Sequence, residues 1–271
     1  MYRIGWFSTG RDEAARDLLA AAVEAIKKGD IKAGIDFVFC SREPGESPES
    51  DAFIKQVHSS GLPLVCFSYQ GFKAETAANT SVASGFPGWR LAYDREVMSK
   101  LRDFQPDLCV LAGYMLIVGP EMCSHYNMIN LHPAAPDGPT GTWQEVVWQL
   151  MAQGAAEAGV MMHLVTPELD RGPVVSYCRF PIRGDGFDAL WGQIKGKSVT
   201  DIKKAEGERN ALFKLIRQEG LKREFPLIIA TIKAFSEGCL KVKAGKVMDA
   251  RGKIIPGYHL TREIDRLVSH A

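Results

Sequence analysis

The sequence predicts an α/β protein: an open, mostly parallel twisted sheet with helices on both faces. Three observations carry this. Short apolar strands alternate with helical segments from the N-terminus to about residue 132, the β-α-β-α order of a parallel sheet. DLCVLAG, residues 107–113, is almost continuously apolar, as suits a strand covered on both faces. Finally, GYMLIVGP (113–120) and HPAAPDGPTG (132–141) follow two strand ends, where such sheets bind their ligands.

The elements follow in order. YRIGWF is a strand. From Asp12, DEAARDLLAAAVEAIKKGD is a helix with acids in its first turn and lysines in its last, as the helix dipole prefers. IDFVFC is a strand, SREPGESPES a turn and loop, ESDAFIKQVHSSG a helix and LPLVCFS a strand. Residues 69–89, rich in Gly, Asn, Ser and Thr, read as a long surface loop. RLAYDREVMSKLRDFQ is a helix, and MINLH is the strand after DLCVLAG. TWQEVVWQLMAQG is helical. GVMMHLVT and PVVSYCRFPI are strands flanking PELDRG. Gly186 to Gly220 is charged and helical, FPLIIATIKAFSEG is apolar and helical, and CLKVKAGKVMDARGK alternates like a hairpin. The 271 residues read as one domain, 1–271, with a helical insert at about 187–222 inside it.

Composition narrows the function. At 46% hydrophobic and 24% charged, the chain has an ordinary globular balance, and its net charge of +1 argues against a nucleic-acid or membrane surface. The six cysteines form no C-x-x-C pair and mostly sit in apolar runs, as in a reducing compartment. No metal-ligand spacing appears, so no metal is expected. Charged residues arrive too early for a signal peptide, and no apolar run is long enough to span a bilayer. The expectation is a cytoplasmic protein.

The chemistry concentrates in NMINLHPAAPDGPTG, residues 127–141. On a strand, Asn130 and His132 point to the same face. Pro133 holds His132 extended and ends the ladder. An amide and an imidazole side by side can both donate to a developing oxyanion, as acyl transfer requires. Asp170, in HLVTPELDRGP, is the candidate third member, able to orient and charge the imidazole or to relay a proton from an attacking amine. Taken alone, an N-x-H at a strand end equally serves to cap a turn.

Three blocks in order change that balance: VLAGYM, NLHP and GVMMHLVTPELDRGP. Together they resemble the folate-dependent formyltransferase family, whose pattern is V-L-A-G-(F/Y)-M, then N-(I/L)-H-P, then G-x-x-x-H-x-V-x-x-x-x-D-x-G-P. The similarity reaches weakly to the N-terminal strand and WRLAYDREV, and resumes at EFPLIIATIKAFSEGCLKV. It implies a formyltransferase, Rossmann-like fold, a 10-formyltetrahydrofolate donor and a small-molecule amine acceptor, with glycinamide ribonucleotide of purine synthesis the first choice. By motif match, Asn130 and a protonated His132 would polarise the formyl oxygen, with Asp170 keeping the imidazole charged. Met115, Leu116, Ile117 and Val118 would wall the pterin. The loop 166–172, with Thr166, Glu168 and Leu169, would close its other side. His163 matches a family histidine near the site, and Arg90 one that helps hold the acidic substrate.

The sequence also departs from the family. A G-S-N loop that holds the acceptor phosphate is replaced by STGRDEAARD, where Gly10 survives and Arg11 or Arg16 can compensate, but Asp12 and Glu13 would repel a phosphate. The loop after His132 carries Asp137 and Trp143, and Leu116 stands where arginine is usual. These changes keep a second acceptor open, such as an amino-sugar nucleotide. A noncatalytic folate- or nucleotide-binding homologue also stays open, although STGRDEA lacks the G-x-G-x-x-G of a dinucleotide site. The insert, with Leu212, Leu215 and Ile216 in a stripe, is read as a packed surface helix; a lid or a homodimer contact is its other use.

Overall fold

The computed structural model describes residues 1–76, 82–83, 86–184 and 186–269. Its first half alternates as expected: β1 (Tyr2–Ser8), α1 (Glu13–Lys28), β2 (Ala33–Cys40), α2 (Pro48–Ser59) and β3 (Leu64–Cys66). After β3 come α3 (Tyr69–Thr76), a small hairpin of β4 (Val82–Ala83) and β5 (Phe86–Pro87), α4 (Gly88–Lys100), β6 (Leu108–Leu111), α5 (Pro120–His125) and β7 (Met128–His132). The expected loop over 69–89 is corrected by α3, which starts where the Ser68 hydroxyl accepts the Gly71 N–H at 2.9 Å, and by a start of α4 at Gly88. Residues 77–81, 84 and 85 of that stretch lie outside the described residues.

Beyond β7 lie α6 (Trp143–Ala152), β8 (Glu157–Leu164), β9 (Val174–Pro181), α7 (Phe187–Ile194), α8 (Val199–Ala205) and α9 (Ala211–Ser236). The chain then forms β10 (Leu240–Lys243), β11 (Lys246–Asp249), β12 (Tyr258–His259) and α10 (Thr261–Ser269). The two helical segments expected on either side of Gly220 are one helix, α9, which runs through Gly220 and Pro226. Proline removes one helical hydrogen bond, and packing against β8, β9, α1 and α6 keeps the helix continuous. The hairpin β10–β11 turns through Ala244 and Gly245, both at positive φ (50° and 68°), the backbone that a tight two-residue hairpin turn requires.

Among the described residues the main sheet has eight strands in the order β12-β9-β8-β7-β6-β1-β2-β3. β8 runs antiparallel to β7 and β9, and the other pairings are parallel. Residues alternate between two cores: Ile4, Trp6, Val38 and Cys40 face one, Phe7, Phe37 and Phe39 the other. Phe37 lies so close over β1 that a Cβ on Gly5 would come within 2.5 Å of its ring. Both faces are therefore covered, which leaves the carboxyl ends of β6 and β7 as the open edge. Among the described residues no helix is long and apolar enough to cross a membrane.

Candidate active site

β6 and β7 are parallel neighbours, so the loops after Leu111 and after His132 leave the sheet side by side. Asn130 and His132 share a face of β7. The antiparallel β8 supplies the third group: His163 is the register partner of Asn130. Its ring is oriented from behind, because Nδ1–H donates to the Leu164 carbonyl at 2.8 Å. In the neutral ring Nε2 is then a lone pair, and it accepts the Asn130 amide at 3.2 Å. The side chain of Asn130 is thereby fixed.

Asp170 reaches the same point on a loop that leaves the sheet after Leu164 and returns at Pro173, whose carbonyl accepts the Leu164 N–H at 2.8 Å. The residue adopts a left-handed backbone, φ 53°, which Asp tolerates better than most. Its Oδ2 accepts the Gly141 N–H at 3.0 Å and lies 3.5 Å from His132 Nδ1, while Oδ1 lies 3.6 Å from His163 Nε2. Both imidazoles are buried and their rings stand edge to face, 6.1 Å apart. His132 Nε2–H donates to the Pro139 carbonyl at 2.8 Å. One loop, 133–142, thus grips both His132 and Asp170.

The charges differ from the expectation. Burial pushes the His132 pKa below its ordinary value, outweighing the pull of Asp170 and of the Pro139 carbonyl in the other direction. The free site therefore holds a neutral imidazole, not the protonated one expected from the sequence. Burial raises the Asp170 carboxyl, but the pull of the His163 and His132 rings once they carry a proton, with the Gly141 N–H, holds it below the usual range, so Asp170 is ionised. At 3.5 Å, the Asp170–His132 contact is longer than a good hydrogen bond and becomes a charged one when the imidazole takes up a proton.

A cavity of about 410 Å³ opens beside this cluster. Met115, Leu116, Ile117 and Val118 form its apolar wall, opposed by Thr166 and Leu169 from the Asp170 loop. Thr9 Oγ1 accepts the Met115 N–H at 3.0 Å, and Arg90 Nε donates to the Ile117 carbonyl at 2.8 Å, so the wall is pinned at both ends. Glu168 is not part of the lining; its carbonyl accepts the Thr166 hydroxyl within the loop. Arg90 is not in the lining either. It is 4% exposed, lies behind the wall and pairs with Asp94 at 2.6 Å, which corrects its expected place against the substrate. Gly10 also stays outside: at φ 61° it turns the chain from β1 into α1 under Phe53. Arg11 does line the cavity, paired with Asp12 at 3.3 Å, and Asp12 caps α1 by accepting the Ala15 N–H at 3.0 Å.

Sequence reasoning named Trp143 but not Arg217 or Glu224, which also line the cavity. Trp143 opens α6, after Thr142 and Glu145 close a capping box. Arg217 and Glu224 project from α9 and form an ion pair, with the Arg217 guanidinium 4.7 Å from the Trp143 ring centre. The signal was present as an Arg and a Glu seven residues apart, which is two helical turns and one face. Among the described residues no group of His, Cys, Asp and Glu has the arrangement of a metal site.

An amide, an imidazole and a carboxylate around one point, beside an apolar-walled cavity at the edge of a mostly parallel sheet, form the constellation of an acyl-group transferase. The chain belongs to the formyl transferase family, whose model matches residues 14–186, more than half of its length. It is 32% identical over 181 residues to a phosphoribosylglycinamide formyltransferase of Escherichia coli (strain K12), covering 65% of this chain and 74% of that one. A phosphoribosylglycinamide formyltransferase of Schizosaccharomyces pombe is 28% identical over 182 residues, 64% of this chain and 81% of that one. In fold, the chain resembles a phosphoribosylglycinamide formyltransferase structure from Coxiella burnetii, with a TM-score of 0.67 at 21% identity over 95% of this chain and 98% of that one.

Proposed function

We propose that this enzyme transfers the formyl group of 10-formyltetrahydrofolate to the amine of glycinamide ribonucleotide. The observation that carries the reading is the convergence of Asn130, His132 and Asp170 at the mouth of an apolar cavity, in a chain whose similar proteins include phosphoribosylglycinamide formyltransferases. The folate ring lies against Met115–Val118, and its formyl group points to Asn130. The unprotonated acceptor amine attacks the formyl carbon. The Asn130 amide stabilises the oxyanion. His132, neutral beforehand, receives the amine proton and becomes an imidazolium beside Asp170. Collapse of the intermediate breaks the bond from carbon to the folate N10, which takes the proton. Formylated amine and tetrahydrofolate then leave. The six free cysteines suit a cytoplasmic setting for this chemistry.

A second reading keeps the donor and changes the acceptor. It is favoured by Asp12, whose carboxylate occupies the α1 N-terminus and repels a phosphate there. The deciding experiment follows tetrahydrofolate release from 10-formyltetrahydrofolate with and without glycinamide ribonucleotide. Release that depends on this acceptor supports the first reading. Folate binding without such release supports another amine.

A further inference from the structure

The charged residues of the cavity wall are unequal in freedom. Asp12 caps α1, Glu145 caps α6, and Asp170 is held by Gly141 between two imidazoles. Arg11 meets Asp12 through Nε alone and is about twice as exposed as Arg217, 35% against 17%. Arg217 is different. Glu224, almost fully buried, fixes the guanidinium through Nη1, and Trp143 supports it face-on at 4.7 Å. Among the described residues the other donors of Arg217, Nε and Nη2, have no protein acceptor. A guanidinium held by one edge and one face, with a fork of donors left over on a cavity wall, is set to bind a tetrahedral oxyanion in a bidentate manner.

An acidic group on the acceptor would be stabilised by such a donor, and the N-terminus of α1 is not open to it. The first turn of α1 already holds the Asp12 carboxylate and carries Glu13. We infer that Arg217, positioned by Glu224 and Trp143, anchors the phosphate monoester of the acceptor and thereby determines acceptor specificity. The inference rests on the acceptor reading above only for the identity of the phosphate's carrier.

The test measures binding without turnover. Ribose 5-phosphate and ribose are titrated calorimetrically into the wild-type protein, Arg217→Lys and Arg217→Met, each with 10-formyltetrahydrofolate present, and the folate affinity of each variant is recorded. The wild type should prefer ribose 5-phosphate to ribose. Arg217→Met should weaken ribose 5-phosphate by about 10- to 100-fold, the usual effect of losing charged hydrogen bonds, and leave folate affinity unchanged. Arg217→Lys keeps the charge without the fork and should fall between. If Arg217→Met does not fold, Arg217→Lys decides. Equal binding of the phosphate in wild type and folded variants, or no preference for ribose 5-phosphate over ribose in the wild type, overturns the inference. If the phosphate depends on Arg217 while glycinamide ribonucleotide is not formylated, the acceptor reading fails and the anchor stands.

Discussion

Asn130 and His163 are register partners across the only antiparallel pairing that β7 makes among the described residues, and the 3.2 Å contact between amide and ring makes them one unit. His163 lines the cavity beside Asn130, and its ring holds the Asn130 amide in place. His163→Phe should therefore lower kcat by about 10- to 100-fold, the scale of a misplaced catalytic group, with little change in folate affinity. His163→Gln, whose amide oxygen can still accept from Asn130, should lose less. Steady-state kinetics paired with folate titration separates the two. A His163→Phe enzyme with wild-type kcat would remove this residue from the positioning role.

The oxyanion and proton roles are tested directly by Asn130→Ala and Asp170→Asn. Losing the Asn130 donor should reduce kcat by about 100- to 1,000-fold while folate still binds. Asp170→Asn is the sharper probe, because its amide oxygen can still accept the Gly141 N–H at the 3.0 Å position while the charge beside His132 disappears. Single-turnover formyl transfer should slow strongly in both variants. Unchanged turnover in Asp170→Asn would refute a role for its charge.

Burial of the neutral His132 ring also has a thermodynamic consequence. The folded state holds this histidine at a depressed pKa. Above the ordinary value of about 6.5 both folded and unfolded chains leave it neutral, and its contribution is fully present. Below that, the unfolded chain takes up a proton that the folded chain resists, so stability is lost as pH falls toward the folded value. Asp170, also depressed, acts in the same sense, but only below its ordinary value of about 3.9. Thermal melts of wild type and His132→Gln between pH 7.5 and 5 check the sign: the wild type should lose more stability on acidification. Parallel curves would contradict a buried neutral ring.

Much of this site is legible in the sequence because it follows local rules. Alternation on MINLH places Asn130 and His132 on one face, the apolar run of DLCVLAG marks a covered strand, and Asp12 and Thr142 announce their helices as side-chain caps. What stays hidden is relational. Periodicity carries no direction, so nothing in GVMMHLVT says that β8 runs antiparallel and brings His163 opposite Asn130. The fate of a charge is equally silent: Arg90 reads like any helix-start arginine until Asp94 and the Ile117 carbonyl surround it. Arg217 and Glu224 look like solvated charges in a charged helix, because only α6 and Trp143 make that face an interior one.

The pair of Arg90 and Asp94 sits beneath the wall formed by Met115–Val118. Burial pushes the Asp94 carboxyl upward, against the pull of Arg90 and of the Gly119 N–H that it accepts at 2.7 Å. Removing one partner strands a buried charge, which typically costs about 3–5 kcal/mol. Asp94→Ala should therefore lower the melting temperature markedly and loosen residues 117–119 together. Double replacement by Arg90→Met and Asp94→Leu should recover part of that stability, since no charge is left unpaired. Denaturant unfolding of these two variants beside the wild type measures both effects. If Asp94→Ala were as stable as wild type, the pair would not be what holds the wall.

Gly172 tests whether the Asp170 loop depends on one backbone contact. A Cβ built on this residue would lie 1.7 Å from the Leu164 carbonyl oxygen, and no side-chain rotation relieves a clash with backbone. The loop must then open at the point where it rejoins β9, next to the bond from the Leu164 N–H to the Pro173 carbonyl. Overpacking of this kind costs about 1–3 kcal/mol, but the effect on activity should be larger than stability alone explains, because Asp170 and Leu169 ride on the same loop. Gly172→Ala should fold with a reduced melting temperature, bind folate more weakly and lose most of its kcat. Gly184, where the same construction meets nothing within 4 Å, is the control for composition. At φ 90° its alanine variant carries its own backbone strain, so only stability should change. Equal kcat in the two variants would mean that the site tolerates a displaced loop, and that Asp170 is not held in place by the return of the chain at Gly172.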